Sequence, residues 1–330
     1  MKYLRFFLAT ILSFSVLFTI FYGRYKINDD GVDNTPVEYK GILTLWHVDS
    51  FEGGTGSRKQ FLLKSARGYE KKREGILVMV ISHTVESVKE NVNNGVYPDM
   101  ISYGVGIDIN VFSELNVSRT VKGGKVGSKT YATAWCRGGY VLISNPKLVL
   151  EEHIVIDKLI VSQGEYTEPL TAFSLSGYVA NETEVLRPMD AYVKFTGGKT
   201  PYLLGTQRDL SRLNARGMEY NATPLESYND LYQYISITSS DQVKRYYAEE
   251  FIEYLVSDEV QKKLNGINMF SAFIQAEYDV AALKDMQSAK NLSTISAFTS
   301  PAILKELQQD SIKASLGDKD AINKIKKVLL

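Results

Sequence analysis

GILTLWHVDSFEGGTGSR, residues 41–58, is the stretch whose reading decides the fold. Gly41 to His47 is apolar and strand-prone, and Asp49, Ser50 and Glu52 follow at once. Gly53, Gly54 and Gly56 permit a tight path, and Ser57 with Gln60 forms a capping-box pattern that opens a helix. A buried strand therefore runs into a polar, glycine-rich turn, which puts hydrogen-bonding groups at a strand's carboxyl end. Ligands of open α/β sheets bind outside such ends.

The pattern repeats outward from there. Arg58 to Glu74 is helical, with Phe61, Leu62, Ala66 and Tyr69 on one face and Gly75 as its stop. Ile76 to Ile81 is an unbroken apolar run, as expected of a strand buried on both faces of a parallel sheet. Ser82, His83 and Thr84 end that strand, Thr84 to Asn94 is a short polar helix closed by Gly95, and Pro98 to Gly104 is the next strand. This alternation argues for α/β layers with right-handed crossovers. Further on, Tyr131 to Trp135 leads through Cys136, Arg137, Gly138 and Gly139 into the strand Tyr140 to Ser144, and the glycine pair reads as a bend or hinge. Met189 to Phe195 is helical in pattern, and the strand Thr200 to Gly205 delivers Thr206, Gln207, Arg208 and Asp209. Asp230 to Thr238 is another strand, Asp241 to Leu264 a long helix, and the tail from Ala276 to Leu330 is lysine-rich and helical.

Composition narrows the function classes. Lys plus Arg equals Asp plus Glu at 38 each, so no global field attracts nucleic acid or an anionic surface. The single cysteine, Cys136, can form no internal disulfide and no multi-cysteine metal site. At the N-terminus Lys2 and Arg5 precede an uncharged run from Phe6 to Tyr22, which reads as a membrane anchor or a signal peptide. Its length reaches the ~17–25 residues of a bilayer span, and Phe21 stands where signal cleavage wants a small residue, so an uncleaved anchor is favoured. Gly23 to Tyr39 then reads as a polar tether.

Taken together, the opening strand and turn, the tyrosine-rich strand with its glycine pair and the apolar strand ending in Asn145, and the phrase EEFIEYLVSDEVQKKL at 249–264 carry a resemblance over residues 41–275. The chain resembles the extracellular solute-binding proteins of bacterial ABC importers, in the branch with the type II periplasmic-binding-protein fold and similar to sugar-binding family 1. The resemblance implies an α/β protein of two lobes joined by a hinge and preceded by a hydrophobic N-terminal helix. Residues 1–23 would be the anchor or signal peptide, 24–40 the tether, 41–135 plus 225–275 the first lobe, and 136–224 plus 276–330 the second. It implies a monomer at the extracellular face of the membrane, or secreted or periplasmic if cleaved. Such a protein closes around a small solute, a carbohydrate in the favoured case, and delivers it to membrane permease subunits, with no cofactor, metal, nucleic acid or enzymatic step. A sensor or adaptor of the same fold is the alternative, motivated by the anchor and the absence of a lipidation cysteine; a small anion or sugar acid is the alternative ligand.

The candidate contacts follow from strand ends. Asp49, Ser50, Glu52, Ser57 and Arg58 lie at the first turn, where GGTGSR lacks the Lys-Ser or Lys-Thr of a nucleotide loop. The start of the Arg58 helix either accepts a hydroxyl or anion from its N–H groups or is a capped surface helix. His47 and His83 sit just past strand ends and read as ligand contacts or polar strand termini ahead of metal ligands; with His153 they are the only histidines. Ser50 or Cys136 with a histidine and Asp49 is the nominal nucleophilic set, without a G-x-S-x-G elbow to support it. Among aromatics, Tyr103 and Trp135 are candidate contacts, with Trp46, Tyr131 and Tyr232 near strand ends or the hinge. Gln207 and the forks of Arg137 and Arg208 complete the set, the bland alternative being salt bridges such as Arg208 with Asp209 or Arg58 with Glu52.

Overall fold

Strand β1 (Gly41–His47) forms because its apolar residues are wanted on a sheet interior, and it lies between two parallel neighbours, β2 (Ile76–Ser82) and β3 (Met100–Tyr103). The computed structural model describes residues 39–107, 109, 112–150 and 154–330. The anchor run, the tether to residue 38 and His153 lie outside the described residues, among which no helix is long and apolar enough to cross a membrane. Helix α1 (Arg58–Glu70) returns the chain from β1 to β2 and packs on β2, and α2 (Val85–Asn93) leads to β3. Thr84 caps α2 by accepting from the Ser87 N–H, and Gly75 and Gly95 take the left-handed backbone that ends each helical segment.

After the small hairpin β4 (Lys125–Val126) and β5 (Lys129–Thr130) come β6 (Thr133–Arg137) and β7 (Tyr140–Ser144), which belong to different sheets. The second sheet receives β8 (Val155–Ser162), α3 (Pro169–Leu175), β9 (Val179–Leu186), α4 (Pro188–Thr196), β10 (Tyr202–Thr206), α5 (Gln207–Ala215) and β11 (Asn221–Pro224). The chain then re-enters the first sheet as β12 (Tyr232–Ile237), antiparallel to both β3 and β6. The orders are β2-β1-β3-β12-β6 and β11-β7-β10-β8-β9, and each sheet with its helices is a lobe. Helix α6 (Gln242–Leu255) packs on β12 and α1, followed by the short α7 (Asp258–Gln261). The tail forms α8 (Ala281–Ser288), α9 (Pro301–Ser315) and α10 (Lys319–Val328); α8 packs against α5 and β11, and α9 and α10 against α3.

Three chain segments run side by side where the sheets meet. Arg137 and Phe270 exchange backbone hydrogen bonds at 2.8 and 2.9 Å, and the Gly138 N–H donates to Leu231 O at 2.7 Å. A Cβ on Gly138 would lie 2.8 Å from the buried Gln207 amide, which would have to move to admit it.

Two expectations need correction. The run from Ile76 is an edge strand buried on one face only, with Leu77 and Met79 exposed, because β1 is its sole neighbour in the sheet order. The long helix Asp241–Leu264 breaks after Leu255: Ser257 takes an extended backbone, and the buried Gln261 amide donates to Leu255 O and Trp135 O, both at 2.9 Å. Satisfying those two buried carbonyls outweighs a continuous helix.

Candidate functional site

The carboxyl ends of β1 and β3 carry a buried polar cluster. Asp49 is acceptor-only when ionised, so its contact with His47 Nε2 at 3.2 Å places the imidazole hydrogen there. The other nitrogen, Nδ1, then accepts from the Ser102 hydroxyl at 3.1 Å. Ser102 Oγ in turn accepts from Trp135 Nε1 at 2.9 Å and Gln233 Nε2 at 3.1 Å. This is a serine–histidine–aspartate arrangement with no nucleophile: Ser102 is fully buried and its lone pairs already take two donors. Cys136 is fully buried too, and burial pushes its thiol up, away from the reactive thiolate.

Arg58 lies over the Phe51 ring at 4.1 Å, donates from Nε to Asp49 at 2.7 Å and hydrogen-bonds the Phe51 carbonyl. Burial raises the Asp49 carboxyl, yet the hydrogen bonds from His47 and Arg58 and the charge of Arg58 win and hold it down at about 2. Arg58 is therefore ion-paired, with Asp49 in place of the Glu52 named as the bland alternative. Around this loop three buried polar atoms have no hydrogen-bond partner: Ser50 Oγ, Arg58 Nη1 and Gln233 Oε1.

Across the gap, α5 starts at the end of β10. Thr206 and Asp209 form a reciprocal capping box, and Asp209, pushed up to about 6 by burial against the pull of the Thr206 N–H and Arg212, anchors the first turn. From that turn Arg208 reaches Gly54 O at 2.6 Å, and Arg212 makes a two-pronged ion pair with Glu52 at 2.8 and 2.9 Å. Asn268 donates to Ser211 Oγ at 3.1 Å beside them. A second interlobe contact closes the far side, where a Cβ on Gly106 would come within 2.8 Å of both Tyr166 and Leu304.

The structure brings Asp49, Ser50, Arg58 and His47 together behind this gap and puts Glu52 and Arg208 across it. His83 tilts against Trp46 with ring centroids 4.4 Å apart, and burial lowers its pKa. Trp135 and Tyr103 are core residues, correcting their expected cleft role: Trp135 stacks on Phe61, and Tyr103 stacks on Phe112 with its hydroxyl paired to Ser236 at 2.9 Å. Arg137 is a hinge residue, donating to Gln287 O at 2.6 Å with its guanidinium 5.4 Å from the Phe270 ring centre. Gln207 is fully buried at the hinge, accepting from the Gly139 N–H at 3.0 Å. Ser57 is exposed, accepts from Gln60 N–H and lines a cavity on the outer side of α1. Sequence reasoning missed Arg212 and Tyr166. Thr206-x-x-Asp209 was the readable signal for the first, since a capping box there puts Arg208 and Arg212 on one helix face.

No protein-family model matches the chain, and no curated protein matches it. Among solved structures it is similar to the GacH receptor of Streptomyces glaucescens GLA.O, which has been solved unliganded and with acarbose. The TM-score is 0.60 at 12% identity, covering 88% of this chain and 98% of that one. It is also similar to iron-bound HitA from Pseudomonas aeruginosa, with TM-score 0.53, 14% identity, and 85% and 99% coverage. The chain shares the fold of these two proteins. Among the described residues no group of three or more His, Cys, Asp and Glu is placed to hold a metal ion.

The interlobe pair has a direct test. A partly buried bidentate ion pair is worth about 1 kcal/mol, so Glu52→Gln is expected to raise the open fraction roughly fivefold. Spin labels on α2 and α4 read this as a longer interlobe distance; an unchanged distribution would remove the pair from the closure.

Proposed function

We propose that this chain is the solute-binding component of an importer, closing its lobes around a small polar solute. The observation that carries the reading is the set of orphaned atoms, Ser50 Oγ, Arg58 Nη1 and Gln233 Oε1, buried in and behind the polar loop that follows β1, the loop whose Gly54 and Glu52 meet Arg208 and Arg212. A buried polar group left unpaired costs about 1–3 kcal/mol, and a polyhydroxylated solute supplies donors and acceptors for all three. Tyr166, half-buried beside Gly106 at the second interlobe contact, offers a flat face to a sugar ring, so a carbohydrate is the favoured cargo. The fold shared with an acarbose-binding receptor supports this choice. Glu52 already takes the Arg212 fork, so an acidic solute would have to compete with it, which weighs against a sugar acid. Closure works because contacts from both lobes exist together only in the closed state. Tethering at the extracellular face and delivery to membrane permeases complete the proposal.

The test is a thermal-shift screen against monosaccharides, oligosaccharides, sugar acids and small anions. A solute at a hundred times its dissociation constant is expected to stabilise the fold by about 2.7 kcal/mol, and Arg208→Ala to weaken its binding more than about tenfold. Silence across the panel would overturn solute capture and favour a signalling adaptor of the same fold.

A further inference from the structure

We infer that the chain carries a second binding site, on the outer side of its first lobe, for an organic anion with a flat apolar body such as an aryl phosphate or aryl carboxylate. The site is a cavity of about 670 Å³ between α1 and the segment from Tyr254 to Ile267, with no part in the interlobe gap. Its floor is apolar, formed by buried Phe61 and Val260 with Ile267. Its two walls approach closely at two glycines. A Cβ on Gly68 would lie 2.3 Å from the Tyr254 hydroxyl, and one on Gly56 2.5 Å from the Ile267 side chain. The Tyr254 ring stands at the edge with Lys72 Nζ 4.7 Å from its centre.

Charge at the rim is one-sided although the whole chain is neutral. Lys64, Lys71, Lys72 and Lys263 line the cavity with a single carboxylate, Glu259. Glu259 is shared between Lys72 at 2.6 Å and Lys263 at 3.5 Å. Lys64 and Lys71 have no acidic partner among the described residues, and both are exposed, so their charges are free to meet a ligand. An ammonium rim above an apolar floor selects a molecule that is anionic at one end and apolar at the other: charge alone leaves the floor wet, and an apolar ring alone leaves the lysines to water.

Phenyl phosphate is the probe, with inorganic phosphate and phenol as its two halves, titrated calorimetrically into the full chain. Phenyl phosphate is expected to bind saturably, each half at least about tenfold more weakly. The Lys64→Gln/Lys71→Gln double variant should bind phenyl phosphate roughly fivefold more weakly, and the difference should shrink at high salt. Inorganic phosphate binding as well as phenyl phosphate, equal binding by the double variant, or no heat at millimolar probe would each overturn the inference.

Discussion

Trp135→Ala is expected to lower the folding free energy by about 3–5 kcal/mol, the range for removing a large aromatic from a packed core. The indole is fully buried on β6, lies nearly parallel to Phe61 at 5.6 Å and donates its N–H to Ser102. Truncation therefore opens a cavity behind α1 and also leaves the Ser102 acceptor, shared with Gln233 and coupled to His47, short of one donor. Trp135→Phe keeps most of the ring volume and loses the hydrogen bond, so it should cost only about 1–2 kcal/mol. Urea unfolding separates the two: the midpoint should fall for both variants, further for alanine, with an unchanged slope. A Trp135→Ala protein as stable as the parent would refute the core assignment and restore Trp135 as a cleft residue.

The stability of the protein should fall as pH rises, because of two carboxyls buried at the second crossing between the sheets. Asp230 accepts from the Tyr140 hydroxyl at 2.6 Å and from the Glu168 N–H at 2.9 Å. Burial pushes it up to about 6. Glu168, at the start of α3, is pushed up to about 9 by burial and then by the charge of Asp230; among the described residues its side chain accepts one hydrogen bond, a long one from Ser311 at 3.5 Å. A carboxyl whose folded pKa lies above its unfolded value contributes fully below the unfolded value, here 4.5, and loses that contribution as pH climbs through the folded one. Between those values the fold binds a proton that the unfolded chain releases, at up to about 1.4 kcal/mol per pH unit. Glu168→Gln keeps the shape and removes the proton. It should be more stable than the parent at pH 8 by about 2 kcal/mol or more and show a flatter dependence on pH. Chemical denaturation at pH 5, 6.5 and 8 checks this; parallel parent and variant curves would show that Glu168 stays charged in the fold.

Much of the framework was readable along the chain. The strands Gly41–His47 and Tyr140–Ser144 occur with the bounds that their apolar runs indicate, and Thr84, Gly75 and Gly95 punctuate the helices where turn chemistry places them. The glycine pair at 138–139 marks the crossing between sheets, where a Cβ on Gly138 would press on the buried Gln207 amide. The site was only half legible. Strand-end position pointed to the loop from Asp49 to Arg58, where polar groups gather, but it could not separate Trp135, Tyr103 and Arg137, which the surrounding layers bury, from residues left beside the gap.

The sequence by itself determined the α/β alternation, the polar turn after β1 and the glycine-marked crossing between the sheets, since each rests on hydrophobic period, capping and glycine geometry within a few residues. Only the tertiary structure decided the pairing of charges. Arg58 meets Asp49 nine residues away, while Glu52 is claimed by Arg212 from 160 residues downstream. Ion pairs are chosen by where whole layers set their charged ends and how deeply each is buried, and no local pattern in the chain carries that distance.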